Sequence, residues 1–391
     1  MSMSFFSFEK KTKTKSSKVD KEAYSIVFNI GSGNVSGGII KFTEAPGENV
    51  LFYAKEIIPF QQEPSIPKHL ESMKTALGVL ANKIQTEGLK KINSAKQRNI
   101  KIDRVFYMFS SPWSISQTKT IRIKEPKAFK VTDKYLGHII DQQEKEFQTE
   151  ISKAGKIIEK KIIQIKSNGY IVNDYKNITT KDLEITIFLT VVPEDILQEV
   201  ETAVSHTFQI KEIWCHSLAL SIFTNVRDLF PQREDFIHID ISEEISDISI
   251  IKDNVIANTA SIPFGRNNFI RELSLALNVP PEVADSMIKM HCQKSNDQLA
   301  TMRLGMAMDT ASKNWLVKIL EIFESLREKM FIPEAIFLIA NCDLASFLKE
   351  KLEKQDFNVT LIDNKKIRSN TTDNDIIFRL ELMFLDNFYK I

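Results

Sequence analysis

Two stretches of this chain begin alike. VFNIGSG at 27–33 resembles IHIDISE at 237–243, and KEIIPF at 55–60 resembles TASIPFG at 259–265. In the first copy, the β-type runs YSIVFNI, VSGGIIKF and NVLFYAKEIIPF precede Leu70, Met73, Leu77, Leu80 and Ile84 at helical spacing. In the second, IHIDI, SDISIIK and VIANTASIPF precede Phe269, Leu273 and Leu277. Such runs, giving way to an apolar period of 3.6, mark strands followed by a helix. Repetition of the whole unit constrains the fold more than any single motif does, and it predicts two α/β lobes built on one plan.

Between the copies, residues 105–123 read as strand, break at Pro112, and strand. A helix over 132–150, strands over 160–192 and a helix from Glu194 follow. This predicts a small α+β module at 112–192, set into the first lobe and separable from it. KEIWC and SLALSIFTNVRDLF then lead to the second lobe. A long helix near 295–330, the strand AIFLIA, the helix LASFLKEKLE and the strand NVTLID complete that lobe. The C-terminal DIIFRLELMFLDNFYKI is apolar almost all round, which suits a core helix better than an interfacial one. The expected divisions are a disordered basic tail at 1–22, the first lobe at 23–111 and 193–234 around the module, and the second lobe at 235–391.

The 52 basic and 51 acidic residues leave a net charge of +1, which gives no whole-chain field for nucleic acid, and no nucleic-acid partner is expected. Three cysteines without CxxC spacing argue against disulfides and zinc, and no apolar run reaches 18 residues. The reading is cytoplasmic. Phe5, Phe6 and Phe8 beside Lys10, Lys11, Lys13, Lys15 and Lys18 make residues 1–20 a candidate for peripheral contact with an anionic membrane face. His206, His216 and His238 stand among apolar neighbours and read as structural. No nucleophile elbow, zinc signature or Walker loop occurs, so no catalytic residue is assigned.

Glycine is scarce, and four of the twelve lie within 31–38. FNIGSGNVSGGII at 28–40 suits a hairpin whose tip brings backbone N–H groups to a phosphate, and equally an ordinary glycine-rich hairpin. With FIHIDISEEISDISII in the matching place, the sequence resembles the actin, sugar-kinase and chaperone ATPase superfamily. Within it, the likeness is to the FtsA and PilM proteins of cell division and pilus assembly. The resemblance implies an actin-like (ribonuclease H-like) duplicated α/β fold of two lobes, with a small α+β module inserted in the first. It also implies a nucleotide site at Asn29, Gly31, Ser32, Gly33 and Asn34, at Asp240, Ser242, Glu243, Glu244 and Asp247, and at Ala340 and Asn341. Such proteins bind ATP with Mg, and Asp240 would be the metal ligand.

The departures fall on the chemistry. Asn29 replaces the first acidic residue, and Ser242, Glu243 and Glu244 replace phosphate-facing glycines. A carboxylate about 4 Å from a phosphate charge costs roughly 4 kcal/mol at an effective dielectric of 20. The expectation is a pseudo-ATPase that binds ATP and Mg weakly if at all, with Glu243 and Glu244 as solvated tip residues. An alternative makes one of them a metal ligand. The first functional reading is an FtsA-like scaffold that links a division filament protein to the membrane and self-associates. The alternatives are a PilM-like platform, which captures the cytoplasmic tail of a pilus membrane protein beside the inserted module, and an active ATPase or small-molecule kinase.

Overall fold

The computed structural model describes residues 6–7, 24–42, 50–97, 99–150, 155–172, 174–176, 178–205, 207–208, 210, 212–292, 298–340, 343–363, 366–367 and 375–389. After β1 (Phe6–Ser7), the first half runs through β2 (Tyr24–Ile30), β3 (Asn34–Lys41) and β4 (Val50–Ile57). Helix α1 (Ile66–Lys83) follows, with proline in its first turn, where a missing N–H costs nothing. One π-helical turn over Ile84–Leu89 joins it to α2 (Lys90–Lys96), and β5 (Ile102–Phe109) returns to the sheet. The inserted module comprises β6 (Ile115–Lys130), α3 (Asp133–Glu150), β7 (Gly155–Ser167), β8 (Tyr170–Ile171) and β9 (Thr179–Pro193). Helix α4 (Glu194–Ser205), β10 (Glu212–Ser217) and α5 (Leu218–Leu229) finish the half.

The second half has β11 (Phe236–Ile241), β12 (Ser246–Lys252), β13 (Val255–Ile262), α6 (Arg266–Leu277), α7 (Pro281–Cys292) and α8 (Gln298–Arg327). It ends with β14 (Ala335–Ala340), α9 (Ala345–Glu353), β15 (Asn358–Ile362) and α10 (Ile376–Tyr389).

The two large sheets have one plan. Their orders are β4-β3-β2-β5-β10 and β13-β12-β11-β14-β15, in each case two antiparallel pairings followed by two parallel ones. The hairpin registers pair Asn29 with Ser36 and Asp240 with Asp247, so Asn29 is the structural counterpart of Asp240 and Val27 that of His238. That equivalence lies one residue away from the match of the sequence strings.

One face of each sheet has its own core. Met73, Leu77 and Leu80 of α1 pack on Ile26, Phe28 and Ile39, while Phe269, Leu273 and Trp315 pack on Ile237, Ile239 and Ile248. The facing sides share a third core, in which α5 and α10 lie among Val27, Phe106, Met108, Phe236, Phe337 and Ile339. The C-terminal segment is thus a buried helix between the lobes. Among the described residues no helix is long and apolar enough to cross a membrane.

The module is a sheet of order β1-β7-β9-β6, with β8 on β7 and its own core around Leu136, Ile140, Leu183 and Ile185. Two expectations change here. Phe6 and Ser7, assigned to the tail, pair antiparallel with Ile162 and Lys161. The module is also bound into the body. Trp113 and Val192 belong to the first-half core, and Ile163 and Phe188 to the core between the lobes. Buried Glu159 accepts bonds from Ser217 N (3.2 Å) and Ser217 Oγ (2.7 Å), and its Oε1 lies 2.8 Å from His216 Nδ1. His216 Nε2 in turn lies 2.8 Å from the Tyr389 hydroxyl on α10. His216 is structural, as expected, but within a polar network rather than among apolar groups alone.

Candidate functional site

The β2–β3 and β11–β12 hairpins meet tip to tip. Glu244 N donates to Ser32 Oγ at 3.1 Å, Ser32 Oγ and Ser242 Oγ are 2.8 Å apart, and Ser242 Oγ donates to Ile245 O at 2.9 Å. These bonds leave the second tip at Glu244, pass through Ser32 of the first and return to the second tip at Ser242 and Ile245. Asn34 Nδ2 adds a bond to Glu243 Oε1 at 3.2 Å. Gly33 is where the tips touch: a Cβ there would lie 2.2 Å from Glu243 Cβ. The glycine's missing side chain makes room for the Glu243 side chain of the opposite lobe.

A second close approach seats the acidic tip on α6. A Cβ on Gly265 would fall 2.5 Å from Ser242 O, so only glycine lets the strand end come so near. Arg266 N then donates to Ser242 O at 3.0 Å and Asn267 N to Glu243 O at 2.7 Å. Free N–H groups at a helix N-terminus, which can serve an anion, are spent here on the protein's own carbonyls.

Glu244 is no solvated tip residue. Its oxygens accept from Arg271 Nη1 (2.9 Å), Arg271 Nη2 (2.8 Å) and Asn267 Nδ2 (2.7 Å). Arg271 also donates to Gln61 O at 3.0 and 2.8 Å and lies over the Phe60 ring, 5.1 Å from its centroid, so it ties the second half to the residues after β4. Such a charge-assisted, bidentate and half-buried pair is stronger than an exposed one. Arg266, which borders the cleft, is likewise engaged by Asp285 (2.6 Å) and by both oxygens of Asp343 (3.0 Å).

What remains between the tips is a cavity of roughly 40 Å³, bordered by Asn29, Asp240, Glu243, Arg266 and Asp375. Asp240 is 3% exposed. Burial first, then the charges of Asp247, Glu243 and Asp375, push its carboxyl well above the usual range, and burial pushes Asp247 up as well. Asp375 caps α10 by accepting from Phe378 N (3.1 Å), and it also accepts from Tyr53 Oη (2.7 Å) and Lys55 Nζ (3.4 Å).

Mg²⁺ favours ionised carboxylates and keeps several waters. Here burial and three neighbouring carboxylates work against an ionised Asp240, and Glu244 is committed to Arg271 and Asn267. The Mg-ATP suggested by the sequence resemblance does not fit these residues, and no chemical step follows from it.

Of the residues assigned from sequence, Asn29, Gly31, Ser32, Gly33, Asn34, Asp240, Ser242, Glu243, Glu244 and Asp247 lie on or beside the two hairpin tips. Ala340 ends β14 beside Ile241. Asn341 lies outside the described residues, as do residues 1–5 and 8–20 of the expected lipid contact. Sequence reasoning missed Gln61, Arg266, Asn267, Arg271 and Asp375. A signal for three of them was present: Arg266, Asn267 and Arg271 follow the second Ile-Pro-Phe directly, a cationic, donor-rich stretch to match the acidic tip.

No family model matches the chain, and no curated protein does. Solved structures do. The PilM-PilN type IV pilus biogenesis complex matches with a TM-score of 0.58 at 10% identity, over 94% of this chain and 98% of that one. MreB 5 of Spiroplasma citri bound to AMPPNP matches with a TM-score of 0.51 at 10% identity, over 94% and 97%. These likenesses, with two mixed sheets of one topology and an antiparallel inserted sheet, establish the α/β actin-like fold.

Proposed function

We propose that this chain is a PilM-like platform, an actin-fold adaptor that holds a short segment of a partner protein beside its inserted module without a nucleotide cycle. The observation that carries the reading is the direct bonding of the two hairpin tips through Ser32, Asn34, Ser242, Glu243 and Glu244, where a nucleotide-driven relative would need an open phosphate cleft. The likeness to the PilM-PilN complex over nearly all of both chains supports a platform. The division-scaffold reading draws on the same fold but gains no separate observation. Lobes latched to each other suit a rigid binding surface, because a hinge that opens and closes would have to break these bonds in every cycle.

The experiment is capture of partners by the intact protein from its native lysate, in parallel without nucleotide, with ADP and with Mg-ATP, together with calorimetry and turnover assays. The expected result is one partner retained equally in all three, negligible turnover and ATP affinity weaker than micromolar. Turnover that disappears in Asp240→Ala, or capture that depends on ATP, would overturn the reading.

A further inference from the structure

Asp240 also borders a second and larger cavity, of about 360 Å³, on the flank of the second hairpin rather than at its tip. That volume lies within the roughly 300–1,000 Å³ of small-molecule sites. One wall consists of two cross-strand rows on the inward face of the second sheet, His238–Ser249–Thr259 and Asp240–Asp247–Ser261. The opposite wall comes from the first half and includes Ser110, Ser111 and Ser217. Ser111 Oγ and Ser261 Oγ are 3.1 Å apart, and Ser261 Oγ also donates to Asp247.

The wall chemistry is one-sided. Among the described residues two carboxylates border the cavity and no lysine or arginine does. His238 is 1% exposed, and its Nδ1 has no hydrogen-bond partner among the described residues. Its pKa is pushed down to about 3 by burial, so the ring is neutral and Nδ1 can accept a proton donor. An orphaned buried ring nitrogen costs free energy until something pairs with it.

We propose that this cavity binds a primary ammonium group, carried by a free aliphatic amine or by a lysine side chain of a partner. An ammonium offers three donors and no acceptor, which matches acceptors on Asp240, Asp247 and His238, and it supplies the positive charge that these walls lack. Inorganic phosphate would meet two carboxylates without a cation. The proposal stands apart from the platform reading, since it requires neither a partner nor an inactive nucleotide site.

The test is isothermal titration of the full chain with putrescine, with Nα-acetyl-lysine amide, with neutral 1,4-butanediol and with inorganic phosphate. Saturable binding of an amine is expected, with none for the diol or phosphate. The tighter of the two amines identifies the source as a free amine or a side chain. Asp247→Asn keeps the shape and should weaken amine binding about tenfold or more by removing one of the two carboxyl groups that the ammonium would face. Ser249→Val, which fills space between His238 and Thr259 on the cavity-facing side of the sheet without touching a charge, should weaken it as well. Because Asp240 faces Asp247, Glu243, Asp375 and Glu381, and shares its sheet face with His238, amine binding should also release protons, measurable as a buffer-dependent heat. No amine binding at millimolar concentration, equal binding of the diol, or phosphate binding would overturn the proposal.

Discussion

The two halves of the molecule share strand order, pairing sense and a helix after the fifth strand, yet their hairpins have opposite chemistry. The first tip, Gly31-Ser32-Gly33, is small and neutral, whereas the second, Ser242-Glu243-Glu244, is long and acidic. Each is braced by a buried indole. Trp113 Nε1 donates to Gly31 O at 2.7 Å, and Trp315 Nε1 to Ser246 Oγ at 3.0 Å. The frame is therefore duplicated while the contents are complementary, one tip vacating the space that the other fills. Two hairpins of one frame thus form a latch through their tip residues alone.

The module makes the halves most unequal, so its removal should have the largest effect. The second half has four residues, 341–344, between β14 and α9 where the first has residues 110–193 between β5 and α4. If the first half were as self-contained, replacing 112–192 with a short linker would leave a cooperative core. The buried Glu159–His216–Ser217 network and the shared packing of Trp113, Phe188 and Val192 predict the reverse. Urea denaturation should show loss of the cooperative transition, and a single retained transition, with an m-value lower only in proportion to the residues removed, would show that the first half stands without its module.

Next in size are the braces. Trp315→Ala and Trp113→Ala should each cost about 3–5 kcal/mol, as aromatic truncations in cores do. A cost for Trp113 below about 1 kcal/mol would mean that its stacking on His69, with ring centroids 5.2 Å apart, and its bond to Gly31 do not hold the first tip. The latch comes third. Gly33→Ala should cost about 1–3 kcal/mol because its new Cβ meets Glu243, and the cost should largely vanish in a Glu243→Gly background. An unchanged cost in that background would place the strain elsewhere than between the tips.

How much of this the sequence discloses depends on the distance between partners. Strands such as IHIDI and SDISIIK announce themselves through local pattern, and the two Ile-Pro-Phe ends align the halves, so the architecture is legible. The fate of Glu243 and Glu244 is not. Whether a tip glutamate is solvated, metal-bound or paired depends on Gly33 and Asn34 in the other half and on Arg271 across a hairpin, contacts with no local signature. The same holds for Phe6 and Ser7, which are separated in sequence from their partners Ile162 and Lys161 by β2 to β6 and α1 to α3. The glycines of 31–38 suit either a phosphate-facing tip or an ordinary hairpin, and at Gly33 the group that approaches is the Glu243 side chain.

The smallest effect, and the finest test of the comparison, comes from making the second half more like the first. At the position of Asp240 the first half has Asn29, equally buried but without a titrating proton. The folded pKa of Asp240 is raised above its unfolded value of about 3.9. Its contribution to stability is therefore fully present below about pH 4 and is lost as pH rises towards the folded pKa, at up to about 1.4 kcal/mol per pH unit. His238, whose counterpart is Val27, works in the other direction. Its folded pKa is lowered to about 3, so its contribution is present above the unfolded value of about 6.5 and is lost as pH falls through that window. Asp240→Asn should accordingly flatten the decline in stability between pH 4 and neutrality and raise stability at pH 7 by on the order of 1 kcal/mol, while leaving the acid limb set by His238 in place. Chemical denaturation at a series of pH values reads both limbs. If the substitution lowers stability at pH 7, the Asp240 carboxylate is stabilised in its ionised form by a favourable interaction, and burial without a counter-charge is not what distinguishes the two halves.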